Sequence, residues 1–173
     1  MGHILPKIFN VWDNADEIEF DDLPNQFALK CNHSAGQNII CSDKSKIDEN
    51  AAKEQINIWL SKKHPVHFER HYRLIKPLVF CEEYLGNSDG SFPVDYKIHC
   101  AHGNRVFIQV CVDRSHSSQG FRLIYSPNWE KLDFVEEQYK SKDKDCYPQP
   151  PKKIFEKMLD YARILSKDLD YGR

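Results

Sequence analysis

Alternating apolar and polar positions predict several short β-strands in this chain. In residues 27–31 the larger apolar side chains take every second position, so a strand here places Lys30 on the opposite face. A segment of small and polar residues follows, and an apolar pattern returns at 38–41, which predicts a β-hairpin. The remaining strand candidates are 77–84, 94–101, 105–113 and 121–125, and turn residues between the second and third of these predict another hairpin.

Two other stretches have apolar residues at the spacing of an α-helix. One helix is predicted from Asp48 to Lys62, with Ser45 or Asp48 available as its N-cap. The other is predicted for residues 151–169, which open with a proline. The apolar positions that repeat at helical spacing are Ala52, Ile56, Trp59, Leu60, Ile154, Met158, Tyr161 and Leu165. Residues 126–151 predict an irregular connection, and the hairpins with their flanking helices predict an α+β fold.

Charge and hydrophobicity narrow the class of protein. The 24 basic and 26 acidic side chains leave a net charge of −2, so no broad basic surface and no nucleic-acid partner are expected. Leu, Ile, Val and Phe occupy 44 of 173 positions, which is enough for a packed core. No uncharged apolar run approaches the about 18 residues of a membrane span, and we expect a cytoplasmic protein. The six cysteines form no Cys-x-x-Cys pair, and their apolar neighbours predict buried thiols.

The first hairpin is the most informative stretch for chemistry. Lys30 brings a positive charge to a strand, and the small-residue loop 32–37 offers backbone N–H groups that can bind phosphate oxygens. The loop has a single glycine, Gly36, and no Walker A pattern, so an ordinary exposed strand lysine remains the alternative. The hairpin therefore predicts a phosphate site without establishing one.

Consecutive carboxylates lie near the end of the strand candidate 77–84. Because neighbouring side chains of a strand point to opposite faces, one of Glu82 and Glu83 can enter a cleft while the other is solvated. A carboxylate in a cleft can accept a hydrogen bond from a ribose hydroxyl. The alternative is an acidic strand end that leads into a surface turn.

Three polar clusters receive weaker functional interpretations. His67 and His71 have the i, i+4 spacing of zinc ligands, but the lack of a fourth ligand nearby favours a solvated segment. His99 and His102 lie where a strand enters a turn, so their side chains are expected to diverge. Residues 113–116 predict a polar loop held by a local Asp–Arg pair.

Four motifs occur together in the order and spacing of one family. They are Ala28–Gly36, Pro77–Leu85, Asp95–Cys100 and Phe107–Val110. With them the chain resembles the TupA-like ATP-grasp proteins, and the resemblance runs from about Leu5 to Arg173. It implies an α+β ATP-grasp fold of two lobes with antiparallel sheets and flanking helices. Within a single domain, 1–173, it implies a smaller nucleotide-covering lobe at about 25–80 and a partial C-terminal lobe at 81–173.

The resemblance also implies roles for individual residues. Lys30 matches the strand lysine that binds the nucleotide phosphates, and Lys97 matches a basic residue presented towards the triphosphate. The mobile loop that closes over the phosphates contributes Asn32, His33, Ser34 and Gly36. The hinge between the lobes, where adenine and ribose lie, contributes Glu82, Glu83, Tyr84 and Leu85. No catalytic residue can be assigned.

The implied activity is ATP-dependent carboxylate–amine ligation through an acylphosphate, in bacterial cell-surface polysaccharide biosynthesis. A polysaccharide or peptide precursor would be the substrate. ATP and Mg²⁺ would be required, with the Mg²⁺ ligands expected beyond Arg173, so an incomplete C-terminus and an inactive, truncated product are expectations to test. The alternatives are a glycosyltransferase-type protein, which an Asp-x-Asp signature would favour, and a non-catalytic nucleotide-binding or partner-binding remnant.

Overall fold

The computed structural model describes residues 4–62, 72, 74–87, 91–102, 105–112, 120–134 and 146–172. The chain divides into two compact units, Met1–Gly90 and Ser91–Arg173. Within the described residues each unit contains an antiparallel sheet and an α-helix, which agrees with the expected α+β class. None of the described helices has the length and apolarity needed to cross a bilayer.

The first unit is built on a four-stranded sheet with the order β1-β4-β2-β3. Its strands are β1 (Ile8–Trp12), β2 (Phe27–Cys31), β3 (Asn38–Cys41) and β4 (Val79–Glu83), and its helix is α1 (Glu49–Ser61). The predicted hairpin is confirmed, because β2 pairs with β3 in antiparallel register. The central strand β4 connects this hairpin to β1.

One face of this sheet forms the core of the first unit. Phe27 and Leu29 of β2 are fully buried there, together with Ile56 of α1. Asp48 caps α1 as predicted, because its carboxylate accepts a hydrogen bond from the Ala51 N–H at 3.0 Å. The alternation that buries Phe27, Leu29 and Cys31 turns Lys30 to the other face of the sheet.

The second unit is built on a five-stranded sheet with the order β8-β7-β6-β5-β9. Its elements are β5 (Asp95–Ala101), β6 (Arg105–Val112), β7 (Phe121–Tyr125), β8 (Lys131–Leu132), α2 (Lys152–Ser166) and β9 (Tyr171–Gly172). The second predicted hairpin is confirmed by the pairing of β5 with β6. Phe155 and Leu159 of α2 pack on the sheet face that carries Ile108 and Val110.

Several features differ from the sequence-based expectations. Strand β1 was not predicted, and the connection expected to be irregular at 126–151 contains the short strand β8. Trp129 packs in this connection by stacking on Tyr125 with ring centroids 4.3 Å apart. The six cysteines are free thiols, but Cys146 is exposed and so contradicts the expectation that all are buried.

The boundary between the two compact units is set by the pairing of β4. The structural division falls between Gly90 and Ser91, because β4 pairs with β1 and β2 and therefore belongs to the first unit. The predicted nucleotide-covering lobe at 25–80 remains a prediction about function.

Candidate functional site

Lys30 and Glu82 form an ion pair on the sheet face that points away from α1. In the β2–β4 register Lys30 lies opposite Phe80, so Glu82 is its diagonal neighbour two residues further along β4. The Glu82 side chain is 11% exposed and that of Lys30 is 38% exposed. A largely buried carboxylate is thus paired with a lysine side chain that solvent still reaches.

The difference in exposure between Glu82 and Lys30 lets the lysine bind a ligand without leaving the ion pair. Removing the partner of a buried charge is costly, so Glu82 favours conformations in which Lys30 stays beside it. The ammonium group of a lysine has three N–H donors, and one carboxylate does not use them all. Lys30 can therefore remain paired with Glu82 and still donate hydrogen bonds to an anionic ligand on its exposed side.

Glu83 has a different environment from Glu82. It is exposed, and its carboxylate accepts a hydrogen bond from the Lys7 N–H at 3.3 Å. The Glu83 N–H donates in turn to the Lys7 carbonyl oxygen at 2.8 Å. The two neighbouring carboxylates therefore differ in exposure, with Glu82 buried beside Lys30 and Glu83 in solvent.

The start of the predicted phosphate loop is fixed by hydrogen bonds. The Asn32 amide donates to the Lys76 carbonyl oxygen at 3.1 Å and accepts from the Leu78 N–H at 2.9 Å. His33 is only 2% exposed, and its Nε2 donates to the Trp59 carbonyl oxygen at the end of α1, at 3.0 Å. These two side chains anchor the loop in the protein, whereas the sequence suggested that they face a ligand.

The tip of the same loop is more open. Gly36 is exposed and has a φ of +77°, a left-handed conformation that glycine adopts without strain. Apart from Gly36 itself and its two chain neighbours, no residue has an atom within 4 Å of the position that a Gly36 Cβ would take. Ser34 is half-buried, so the part of the loop that can contact a ligand runs from Ser34 to Gly36.

The residues after β4 form a tight, irregular segment. The Tyr84 ring folds back over the backbone, so a Cβ at Gly86 would overlap its ring and hydroxyl group. Tyr84 is half-buried and Leu85 is 55% exposed. A larger residue at position 86 would therefore force the Tyr84 ring to move.

Lys97 belongs to the second unit, on β5. Its ammonium group pairs with the carboxylate of Asp95, two residues earlier on the same face of the strand. The side chains of Lys97 and Asp95 are 27% and 31% exposed, respectively. Like Lys30, Lys97 is a partly exposed cation with a carboxylate neighbour.

A polar network around His99, on the sheet face that carries Lys97, was not predicted from the sequence. His99 is 7% exposed, donates from Nε2 to Gln109 at 3.1 Å and accepts from the Tyr171 hydroxyl group. Its ring stacks on Phe107 with centroids 4.3 Å apart. The alternation of β5 places His99 on the face of Lys97, but the pairing with Gln109 depends on the β5–β6 register.

The described residues include no group of three or more His, Cys, Asp or Glu side chains placed to hold a metal ion. His67 and His71, and the polar segment 113–116, lie outside the described residues. Two triplets have the Asp-x-Asp spacing associated with glycosyltransferases, Asp143–Asp145 and Asp168–Asp170. The first also lies outside the described residues, and both aspartates of the second are exposed.

Comparison with known proteins gives one clear result. A family model described as TupA-like ATPgrasp matches residues 2–173, which is nearly the whole chain. The comparisons with curated proteins and with solved structures found no match. Since the family model covers the strands and loops of both units, the chain belongs to the TupA-like ATP-grasp family.

Proposed function

We propose that the sheet face of the first unit that carries Lys30 binds the phosphate groups of ATP. The observation that carries this proposal is the Lys30–Glu82 ion pair, in which a largely buried carboxylate is paired with a partly exposed lysine side chain. Family membership supports a nucleotide as the ligand. Glu82 then acts as a positioning residue for Lys30, and Lys30 donates to a phosphate oxygen.

The loop tip can contribute to the same site. Backbone N–H groups from Ser34 to Gly36 are the natural partners for further phosphate oxygens, because Asn32 and His33 are engaged elsewhere. Tyr84 and Leu85 follow β4 directly and are proposed to contact adenine and ribose. Lys97 is proposed as a second cation for the triphosphate.

In ATP-grasp proteins ATP acts as the donor of a phosphoryl group. For this chain we propose ATP-dependent ligation of a carboxylate to an amine through an acylphosphate, on a polysaccharide or peptide precursor of the bacterial cell surface. The cell-surface setting is proposed from family membership, and the cytoplasmic location is proposed from the lack of a long apolar run in the sequence. No step is assigned to Mg²⁺, because the described residues present no cluster that fits it.

Calorimetric titration with ATP tests the proposal. Wild-type protein is compared with Lys30→Met and with Lys7→Met, a matched control at an exposed lysine of the same unit. Removing a hydrogen bond to a charged group costs about 1.5–3 kcal/mol, so Lys30→Met should weaken ATP binding roughly 10- to 150-fold. Lys7→Met should leave the affinity within about twofold of wild type.

The same titrations separate the alternative functions. ADP release during the titration supports ligase-type turnover, whereas binding without ADP release supports a non-catalytic nucleotide-binding protein. Binding of a uridine diphosphate sugar in preference to ATP would favour the glycosyltransferase-type alternative. Equal ATP affinity in wild type and Lys30→Met would overturn the proposed site.

A further inference from the structure

We propose that Gln109 and Arg122, together with Lys97, bind the phosphate chain of ATP on one face of the second sheet. His99 is then a positioning residue, which acts by holding the Gln109 amide in one orientation. All the contacts that carry this inference lie within the second unit. The inference rests on the proposed function in one respect, the identification of the phosphate chain as that of ATP.

The strand register places these side chains on a common face. Lys97 of β5 pairs directly with Gln109 of β6. Two residues away, Asp95 of β5 pairs with Cys111 of β6, which pairs in turn with Arg122 of β7. Because residues two apart on a strand share a face, all five side chains lie on the side of the sheet that faces away from α2. Two cations and an amide thus share this surface with the Asp95 carboxylate.

Their existing bonds direct two of these donors towards the same row of the sheet. The Gln109 Oε1 accepts from the His99 Nε2–H at 3.1 Å, and the Gln109 Nε2 donates to the Cys111 Sγ at 3.5 Å. The amide NH2 group therefore points along β6 towards Cys111. The Lys97 ammonium group points the same way along β5, because it pairs with Asp95, the cross-strand neighbour of Cys111.

The NH2 group of Gln109 retains capacity to bind a ligand. It offers two N–H donors, and in the described part of the chain its hydrogen-bond partner is the Cys111 thiol, a weak acceptor. The Gln109 side chain is half-buried, so solvent still reaches it. A phosphate oxygen is a charged acceptor and forms the stronger hydrogen bond. A ligand oxygen is therefore a better partner for this amide than the thiol is.

His99 fixes the direction in which the Gln109 amide points. The ring is 7% exposed and stacks on Phe107 with centroids 4.3 Å apart. Its Nε2–H requires an acceptor, which only the oxygen of the amide supplies, while its Nδ1 accepts from the Tyr171 hydroxyl group. Rotation of the Gln109 amide by 180° would place its NH2 group against the Nε2–H. His99 therefore keeps the NH2 group turned towards Cys111.

The spacing of the donors suits a chain of phosphates. Neighbouring strands lie about 4.8 Å apart, so β5 and β7 are about 10 Å apart with β6 between them. Lys97 and Arg122 lie on these two outer strands, and Gln109 lies on the middle one. Two cations against the Asp95 carboxylate leave one net positive charge on these rows, which favours an anion. Lys97 is 27% exposed and Arg122 is half-buried, so solvent reaches both.

Calorimetric titration with tripolyphosphate tests the proposed binding residues, because this probe has the phosphate chain without a nucleoside. Gln109→Met and Arg122→Met should each weaken binding at least about tenfold, since each removes a hydrogen bond to a charged group. Gln149→Met and Arg163→Met are the matched controls, at exposed residues of the same unit, and should change the affinity less than about twofold.

The positioning role of His99 needs a separate comparison. His99→Phe keeps an aromatic ring against Phe107 but cannot hold the Gln109 amide, and it should weaken tripolyphosphate binding at least about threefold. In a Gln109→Met background the same substitution should cause no further loss. A merely structural His99 would cause similar losses in both backgrounds, which would contradict the positioning role.

Nuclear magnetic resonance tests the Gln109 contact on the unmodified protein. The side-chain NH2 signals of Gln109 are those that disappear in Gln109→Met. They should shift when tripolyphosphate is added to wild-type protein, because a phosphate oxygen replaces the thiol as their acceptor. Signals that stay unchanged at saturation would overturn the role of Gln109.

The outcomes also separate this inference from the proposed function. Unchanged tripolyphosphate affinity in Gln109→Met or Arg122→Met, or no wild-type binding up to about 10 mM, would overturn the inference. Losses that appear with D-glucuronate but not with tripolyphosphate would identify a carboxylate as the occupant and also overturn it. If Lys30→Met leaves ATP affinity unchanged while Gln109→Met weakens it, the site on the first unit fails and the inference stands.

Discussion

Lys30 and Glu82 pair diagonally across two neighbouring antiparallel strands, and the carboxylate is the more buried partner. The buried charge restrains the exposed one, so Lys30 is held in place before any ligand arrives. Prior positioning of a donor reduces the entropy lost when a ligand binds. The effect of the ion pair on ATP affinity can therefore be tested by replacing Glu82 as well as by replacing Lys30.

Replacement of Glu82 should weaken ATP binding even though Glu82 is not proposed to contact the phosphates. Glu82→Gln removes the charge that holds Lys30, and we expect a loss of about tenfold in ATP affinity. Glu83→Gln is the matched control, because Glu83 is the exposed neighbour on the other face, and it should change the affinity less than about twofold. Calorimetric titration of both variants with ATP checks this prediction. Equal losses of affinity would show that Glu82 has no special role in positioning Lys30.

Asn32 should contribute to stability because its side chain satisfies two backbone groups. Asn32→Ala leaves the Leu78 N–H and the Lys76 carbonyl oxygen without their partner. We expect the free energy of unfolding to fall by about 1–3 kcal/mol in urea denaturation. Asn25→Ala, at an exposed asparagine of the same unit, should have little effect. An unchanged midpoint for Asn32→Ala would show that the anchor is dispensable.

Gly86 and Tyr84 should behave as a coupled pair. Gly86→Ala introduces a Cβ into the space of the Tyr84 ring, and overpacking of this kind costs roughly 1–3 kcal/mol. Tyr84→Ala removes the obstacle, so the double variant should be no less stable than Tyr84→Ala alone. Denaturation of the three variants measures this coupling. Strictly additive losses would contradict the close approach.

Stability should decrease at alkaline pH because of buried thiols. Burial raises the pKa of Cys31 from 9.0 to about 11 and has a similar effect on the pKa of Cys81. Between these pH values the unfolded chain has lost the Cys31 proton while the folded chain keeps it, so the free energy of unfolding falls as pH rises.

Variants at two cysteines isolate this contribution. From pH 8.5 to 10.5, wild type should lose on the order of 1–2 kcal/mol more than Cys31→Ala, in which this thiol is absent. Cys146→Ala, at the exposed cysteine, should follow the wild-type curve. Parallel curves for wild type and Cys31→Ala would show that the Cys31 thiol titrates normally in the folded protein.

Local sequence patterns predicted the elements better than they predicted the contacts of the site. The alternation in β2 correctly placed Lys30 away from the apolar side chains, since that depends only on neighbouring residues. The partner of Lys30 could not be predicted, because the β2–β4 register joins residues about fifty positions apart. His33 had the appearance of a loop ligand, yet its partner is a carbonyl oxygen at the end of α1.

Short or weakly patterned strands were also missed for physical reasons. Strand β1 is exposed at four of its five positions, so it lacks the alternation that identifies a half-buried strand. Strand β8 has only two residues, which are too few to show the alternation of apolar and polar side chains that predicts a strand.

A double-mutant cycle in ATP affinity shows whether Glu82 acts on the nucleotide through Lys30. Wild type, Lys30→Met, Glu82→Gln and the double variant are titrated with ATP under identical conditions. If Glu82 acts through Lys30, the Glu82 substitution causes no further loss once Lys30 is absent, and the double variant binds ATP as weakly as Lys30→Met does. Additive losses in the double variant would instead show that Glu82 affects the nucleotide independently of Lys30, which contradicts a positioning role.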